Sequence, residues 1–357
     1  MVNHLVERRA DRKIDEDIRK LQLTGKSTYI VSLPKKWVVN MNLKAGSHLV
    51  VSQQSDTSLL LTPKDFIKPA KPAGEADILV NQNDDPNVIA RKTVALYLVG
   101  YNLIRIKTKD DRISSLQRNF IKDLARKKLV GTEIISESSN EMKLQVLLSY
   151  PELSVESALR RMCLIATAMH EDAMQALKDL NKELANDVIA LDDEVDRFSL
   201  YVIRQLKAAV QSEIILRDIG LSTPRDCLGY RLIVKSVERI ADHAVKIAET
   251  LGPLDDGIDD SVFQKISEMS ALARSTFDDA IKALFQKDYL VADQVVTKAK
   301  TMAAMENETM KLVATKIEAV KTSSIRMIME SIRRTAEYSS DIAEIVLNLN
   351  VHQIIAS

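Results

Sequence analysis

Phenylalanine, tryptophan and tyrosine together supply only 4% of the 357 residues. That scarcity, beside twelve Met and an abundance of Ala, Leu, Lys and Glu, disfavours a β-sandwich and favours packed helices. There are only two cysteines, Cys163 and Cys227. They lie far apart without CxxC spacing, which argues against a disulfide framework or a thiolate zinc site, and they read as buried thiols. No apolar run approaches the roughly 18 residues needed to span a bilayer. The opening MVNHLVERRADRK lacks the apolar core of a secretory leader, so a cytoplasmic chain without membrane insertion is expected. Gly-rich phosphate loops, nucleophile elbows and HExxH motifs are missing, and no His stands with a Ser or Cys in a catalytic arrangement. No enzyme is expected.

Acidic residues are missing from one stretch altogether. Between Ile18 and Ser55 there is no Asp or Glu, while Arg19, Lys20, Lys26, Lys35, Lys36 and Lys44 all fall there. The formal net charge of zero therefore hides a window of +6 and a remainder of −6. Asymmetry of this kind points to a polyanion partner for one end.

With 46% hydrophobic and 28% charged residues the chain has the balance of a folded protein, and its length suggests two or three domains. The basic window reads as β-β-α-β-β: runs at 19–24 and 27–33 about a Gly25-Lys26 turn, a short helix opening at Pro34, and runs at 47–53 and 58–63. Such a unit is too small to bury much core, so dimerisation is expected. Trp37 and Tyr29 are expected to pack in its core. A Pro-, Ala- and Lys-rich stretch, 64–77, reads as a linker. Residues 78–150 follow a βαβαββ pattern that suggests a ferredoxin-like α/β domain.

From 151 to 357 the apolar period is 3.6, broken near 181–186, 217–223, 251–260, 286–291 and 321–323, which predicts six helices. Residues 233–249 align with 328–344 at an offset of 95, with seven identities in 17 positions. EDAMQAL at 171–177 aligns with DDAIKAL at 278–284 at an offset of 107. The domain is therefore two three-helix units, about 154–251 and 260–350. The expected fold class is multidomain α+β: a β unit at 1–63, the small α/β domain, and an all-α domain.

Four carboxylates concentrate the chemistry. Asp192 with Asp196, and Glu238 with Asp242, are spaced four apart and share a helix face. Both cross-pairs, 192 with 242 and 196 with 238, are centred on residue 217, beside the turn between their helices. An antiparallel hairpin would bring all four to one level, where a hard or borderline cation would relieve their repulsion. The same spacing equally suits a solvated face paired with Lys or Arg. His243 points about 100° away from Asp242 and reads as surface or partly buried.

ERIADHAVKIAE (238–249) resembles the signature of PhoU-family proteins, and LDDEVDRF (191–198) looks like their second acidic motif. The resemblance covers roughly 154–350. It implies a phosphate-signalling regulator with Asp192, Asp196, Glu238 and Asp242 as ligands to Fe, Zn, Mg or Mn, acting with a phosphate transporter or another signalling protein. RKLQLTGKSTYIVSLPKKWVVNMNLKAGSHLVV (19–51) resembles the swapped-hairpin DNA-binding module of SpoVT/AbrB proteins. That implies a homodimer facing DNA with Arg19, Lys20, Lys26, Lys35 and Lys36. The competing expectation is a regulator that works through protein contacts and never touches DNA.

Overall fold

The computed structural model describes residues 17–25, 27–53, 58–64, 73–147, 153–254, 257–351 and 355. The chain divides into two compact units, Met1–Lys71 and Pro72–Ser357.

The first unit holds two separate antiparallel pairs. Strands β1 (Gln22–Thr24) and β2 (Thr28–Ile30) form one, and β3 (Leu49–Gln53) and β4 (Leu59–Pro63) the other, with helix α1 (Lys35–Asn40) between them. Gly25 and Gly46 turn the chain at φ +68° and +89°, where a Cβ would be strained. Among the described residues of this unit only Pro63 is buried. Tyr29 is 67% exposed and Leu23, Val51 and Leu59 are also exposed, so the core expected around Tyr29 and Trp37 does not form within one chain. Among its described residues, a β unit of this size that buries one proline has little core to sustain it.

The second unit opens with an α/β layer. It comprises β5 (Ala73–Val80), α2 (Pro86–Val99), β6 (Tyr101–Thr108), α3 (Ser115–Asp123), β7 (Thr132–Glu137) and β8 (Glu141–Val146). Strand β5 starts at Ala73, inside the stretch expected to be linker. Sequence punctuation sets the helices: Asp85 caps α2 with Pro86 in the first helical position, and Ser114 with Gln117 forms a capping box on α3. The sheet order is β5-β6-β8-β7, with β5 and β6 parallel neighbours and the rest antiparallel. This departs from the ferredoxin-like order expected, in which another strand separates the two strands of a βαβ unit. Here the β7–β8 hairpin adds to the free edge of β6 instead. One sheet face is buried through Ile78, Ile104, Ile106, Met142 and Leu144. The other carries an ion-pair ladder in which Arg105 meets Glu75 and Asp77 and Lys107 meets Asp77. Helix α3 runs into a π-helical turn at Leu124–Lys128, a local rewinding common at functional positions.

The bundle follows: α4 (Val155–Asp179), α5 (Lys182–Ala209), α6 (Glu213–Asp218), α7 (Asp226–Glu249), α8 (Asp260–Gln286), α9 (Tyr289–Ala299), α10 (Met302–Lys316) and α11 (Ala319–Leu349). Two three-helix halves are present, α4–α5–α7 and α8–(α9, α10)–α11, with α6 a short helix inside a connection. The expected six helices become eight among the described residues. The second helix ends at Ala209, because Ser212 caps a new short helix, and its counterpart breaks at Lys300–Thr301. The last break falls at Ile317–Glu318 rather than 321–323.

The duplication is visible in the backbone. Leu180 and Lys287, 107 apart, are both left-handed at φ 52° and 54°, and the residues after them, Asn181 and Asp288, both cap the next helix. The one core of the bundle spans both halves, with Met162, Ile240, Met269 and Ile332 fully buried. Two buried histidines bridge the halves. His170 Nε2 on α4 is hydrogen-bonded to Ser270 Oγ on α8 at 2.8 Å, and His243 Nδ1 on α7 to Ser331 Oγ on α11 at 3.2 Å. His243 is thus buried, not on the surface. Cys163 and Cys227 are free buried thiols, and burial pushes Cys163 up to about 12. Among the described residues no helix is long and apolar enough to cross a membrane.

Candidate metal centre and nucleic-acid interface

Helix α5 carries Asp192 and Asp196, and α7 carries Glu238 and Asp242. The connection between these helices runs from residue 210 to 225, so it is centred near 217 as the pairing of levels requires. The four acids are electrostatic neighbours. Burial raises the Asp192 carboxyl to about 6, and the charges of Asp196 and Asp242 push the same way. Burial also raises Asp242, followed by repulsion from Glu238. Asp192 Oδ1 is buried without a hydrogen-bond partner. An anionic oxygen in that state is costly unless a cation faces it.

Two ammonium groups already engage part of the set. Lys128 Nζ lies 2.6 Å from Asp196 Oδ2 and 2.6 Å from Asp193 Oδ1. Lys235 pairs with Glu238, which also accepts from Ser199 Oγ at 3.0 Å. Among the described residues no three His, Cys, Asp or Glu are grouped to hold a metal ion. His243 stands outside the set, packed against Tyr338.

The second half answers each acidic position differently. Asp192, Asp193 and Asp196 correspond to Ala299, Lys300 and Ala303 at the offset of 107, on either side of the α9–α10 break. Ser199 and Glu238 correspond to Glu306 and Arg333. Both positions remain in contact in both halves: Ser199 with Glu238 at 3.0 Å, and Glu306 with Arg333 at 2.7 Å. Glu337, the counterpart of Asp242, is held by Arg333 and Arg334. Where the first half has Glu238, the second has the guanidinium of Arg333, which pairs with Glu306 and Glu337.

Sequence reading missed Lys128 and Arg204. Lys128 belongs to an Arg-Lys-Lys run that marks a helix end, and nothing local ties it to α5. Arg204 is a charge inside the apolar run YVIRQL, a signal that was legible. It is 4% exposed and donates to the carbonyls of Tyr97, Gly100 and Tyr101 and to Asn102 Oδ1, capping the end of α2.

In the first unit Lys20, Lys35 and Lys36 are exposed, and Arg19 pairs with Asp17, just outside the acid-free window. Lys26 lies outside the described residues. Arg19, Lys35, Lys36 and Trp37 line one concavity of about 680 Å³ together with Leu59 and Leu61.

These features define a multidomain α+β protein that carries a duplicated three-helix bundle and, in the N-terminal part of its sequence, a basic β module. Residues 159–251 and 266–346 match the family described as PhoU domain, and the chain belongs to the PhoU family. Residues 22–68 match the family described as Antidote-toxin recognition MazE, bacterial antitoxin, in keeping with the SpoVT/AbrB-like resemblance of the basic window. A phosphate-specific transport system accessory protein PhoU homolog from Aquifex aeolicus is 28% identical over 156 residues, 42% of this chain and 66% of that protein. Its namesake from Borreliella burgdorferi is 30% identical over 125 residues, 33% of this chain and 54% of that protein. The chain thus spans between half and two thirds of the length of these relatives. PhoU from Pseudomonas aeruginosa has the same fold over 56% of this chain and 96% of its own, with a TM-score of 0.50 and 21% identity.

Proposed function

We propose that this chain is a phosphate-responsive regulator of phosphate uptake. It binds DNA as a homodimer through the basic unit and relays phosphate status through the PhoU bundle, in contact with a phosphate transporter or another signalling protein. The phosphate-transport role rests on family membership and on the names its relatives carry. The DNA-binding role rests on one observation: an acid-free basic window folded into hairpins that bury no core of their own. A second copy would cover Leu23, Tyr29, Val51 and Leu59, and the dimer would present twelve basic residues from that window.

In this reading the carboxylates of the first half would turn toward one another to take a divalent or trivalent cation, since as they stand they are not grouped to hold one. Asp192 offers an unpartnered oxygen, and Asp196, Glu238 and Asp242 complete an all-oxygen set of the kind that Mg, Mn or Fe accepts; Zn also takes carboxylate oxygens. Such a cation would neutralise the cluster and present a positive site to an anionic ligand.

Fluorescence anisotropy on a random-sequence duplex across a salt titration tests the DNA-binding role. Log affinity is expected to fall linearly with log salt. Lys35→Ala/Lys36→Ala removes four charges per dimer and should shallow the slope by up to about 3.6. A slope that the double variant leaves unchanged would rule out this surface. No binding by the parent at low salt would favour the regulator that acts through protein contacts alone.

A further inference from the structure

Helices α7 and α11 run antiparallel along a shared seam. Gly229 of α7 meets Ile345 and Leu349 of α11, and His243 meets Ser331. Helix α7 packs on α4, α5 and α11, and α11 on α7, α8 and α9, which leaves each of them one outward face. Leu228 and Leu232 on the α7 face are 67% and 59% exposed, although most apolar residues of that helix are buried. Along the seam lies a groove of about 660 Å³ lined by Leu228, Leu232, Ile345, Leu349 and Val351. A Cβ on Gly229 would come within 3.0 Å of Leu349 and 3.1 Å of Ile345, so the glycine lets the two helices close into one apolar strip. Strips of this kind mark interaction surfaces. The flanks of the strip differ in sign. Arg225, Arg231 and Arg239 are exposed on α7, and Asp341 and Glu344 on α11. The contacts of Gly229 and His243 fix the register and set Arg231 level with Glu344. Arg231 points about 200° away from Gly229 around its helix, and Glu344 likewise leans away from the seam. Among the described residues neither has an ion-pair partner, and within one chain they stand too far apart to meet.

We propose that the outward face of α7 and α11 is an interface with a second copy of this chain, related by a two-fold axis that runs along the groove, so that α7 of each copy lies over α11 of the other. Charge selects both the occupant and the axis. A two-fold along the groove exchanges the flanks at constant level, which brings Arg231 over the partner's Glu344 and the basic flank over the acidic one. A two-fold across the helices would set α7 on α7 and basic on basic, which is repulsive. An unrelated protein would need both signs at this spacing, whereas a second copy supplies them by symmetry. Leu228 and Leu232 then enter the partner's groove and lose their exposure to water, the main favourable contribution to such a contact. Neither the DNA-binding nor the metal reading is needed for this interface, which lies wholly within the bundle.

The experiment co-expresses two full-length chains with different affinity tags, one carrying Arg231→Cys and the other Glu344→Cys. After mild oxidation, peptide mass spectrometry looks for a disulfide joining position 231 of one chain to 344 of the other. That disulfide is expected in the pair. It should be lost when both chains also carry Leu232→Asp, an exposed change whose intact helices circular dichroism verifies. Arg231→Cys paired with Asp172→Cys, on the exposed side of α4, controls for chance collision between tethered copies and should cross-link at least about tenfold less. Absence of the 231–344 disulfide, a yield no greater than the control, or a yield that Leu232→Asp leaves intact overturns the interface. A disulfide from position 231 to a different polypeptide in place of 344 overturns it too, and makes the face a docking site for another protein. A chain carrying Lys35→Ala/Lys36→Ala should cross-link like the parent, so loss of DNA binding and loss of this interface are told apart.

Discussion

An Asp192→Ala/Asp242→Ala variant is expected to lose all stoichiometric metal after mild dialysis, while Glu337→Ala keeps the parent's content. The asymmetry follows from the contacts of the two halves. Asp192 and Asp242 are raised by burial and by neighbouring acids, so their carboxylates gain most from a cation. Glu337 lies between Arg333 and Arg334, and its charge is already spent. With oxygen ligands removed in pairs, affinity should fall at least a hundredfold, beyond what dialysis retains. Elemental analysis of the three dialysed proteins decides it. Metal lost from the Glu337 variant alone would reverse the assignment of the halves.

Acid should loosen the two halves from each other, through His170. Burial, and then the charge of Arg274, lower its ring to about 4 from the ordinary 6.5. Its Nδ1 is buried with no partner, so an added proton would find no acceptor. The facing groups are Ser270 and Arg274 on α8, the latter paired with Glu171 at 2.5 Å. The folded chain therefore refuses a proton that the unfolded chain accepts between pH 6.5 and 4. Stability from this group is complete above pH 6.5 and drains away as pH falls through that window, by about 2–3 kcal/mol at pH 4.5. Asp192, raised to about 6, has the opposite slope, so the parent curve alone is ambiguous. The comparison that isolates His170 is urea unfolding of the parent and of His170→Gln at pH 7.5 and 4.5. The parent should lose about 2–3 kcal/mol more than the variant over that interval. Parallel losses would mean that the ring is not held neutral.

Much of the bundle was legible because repetition is a property of sequence. The offset of 107 that aligned EDAMQAL with DDAIKAL also aligns the left-handed Leu180 with Lys287 and the caps Asn181 with Asp288. The level of the four acids was legible too, since it needs only helix geometry and the midpoint of a connection. Helix α6 was not, because Ile214, Ile215 and Leu216 continue the apolar period of α5 while Ser212 quietly starts a new helix. The break at Lys300–Thr301 was hidden for a like reason: Ala and Lys are good helix formers, and nothing local stops them. The strand order of the α/β layer depends on which edge receives a hairpin, a choice made by packing rather than by pattern. Lys128 was out of reach because it acts on a helix far away in sequence; the buried charge of Arg204 was legible inside YVIRQL, but the distant carbonyls it meets were not.

Arg204 has a consequence for how the chain is made. The carbonyls it caps belong to Tyr97, Gly100 and Tyr101, and it follows Tyr97 by 107 residues. At ribosomal speeds of about 5–20 residues per second, the end of α2 emerges roughly 5–20 s before its cap exists. During that interval the layer can form its sheet and bury Ile104 and Leu144, and Gly100 N–H already reaches the Tyr97 carbonyl, but the Gly100 carbonyl lacks its guanidinium. Nascent chains stalled before residue 204 should therefore carry a folded sheet with a frayed α2, and the helix end should set only as α5 clears the exit tunnel.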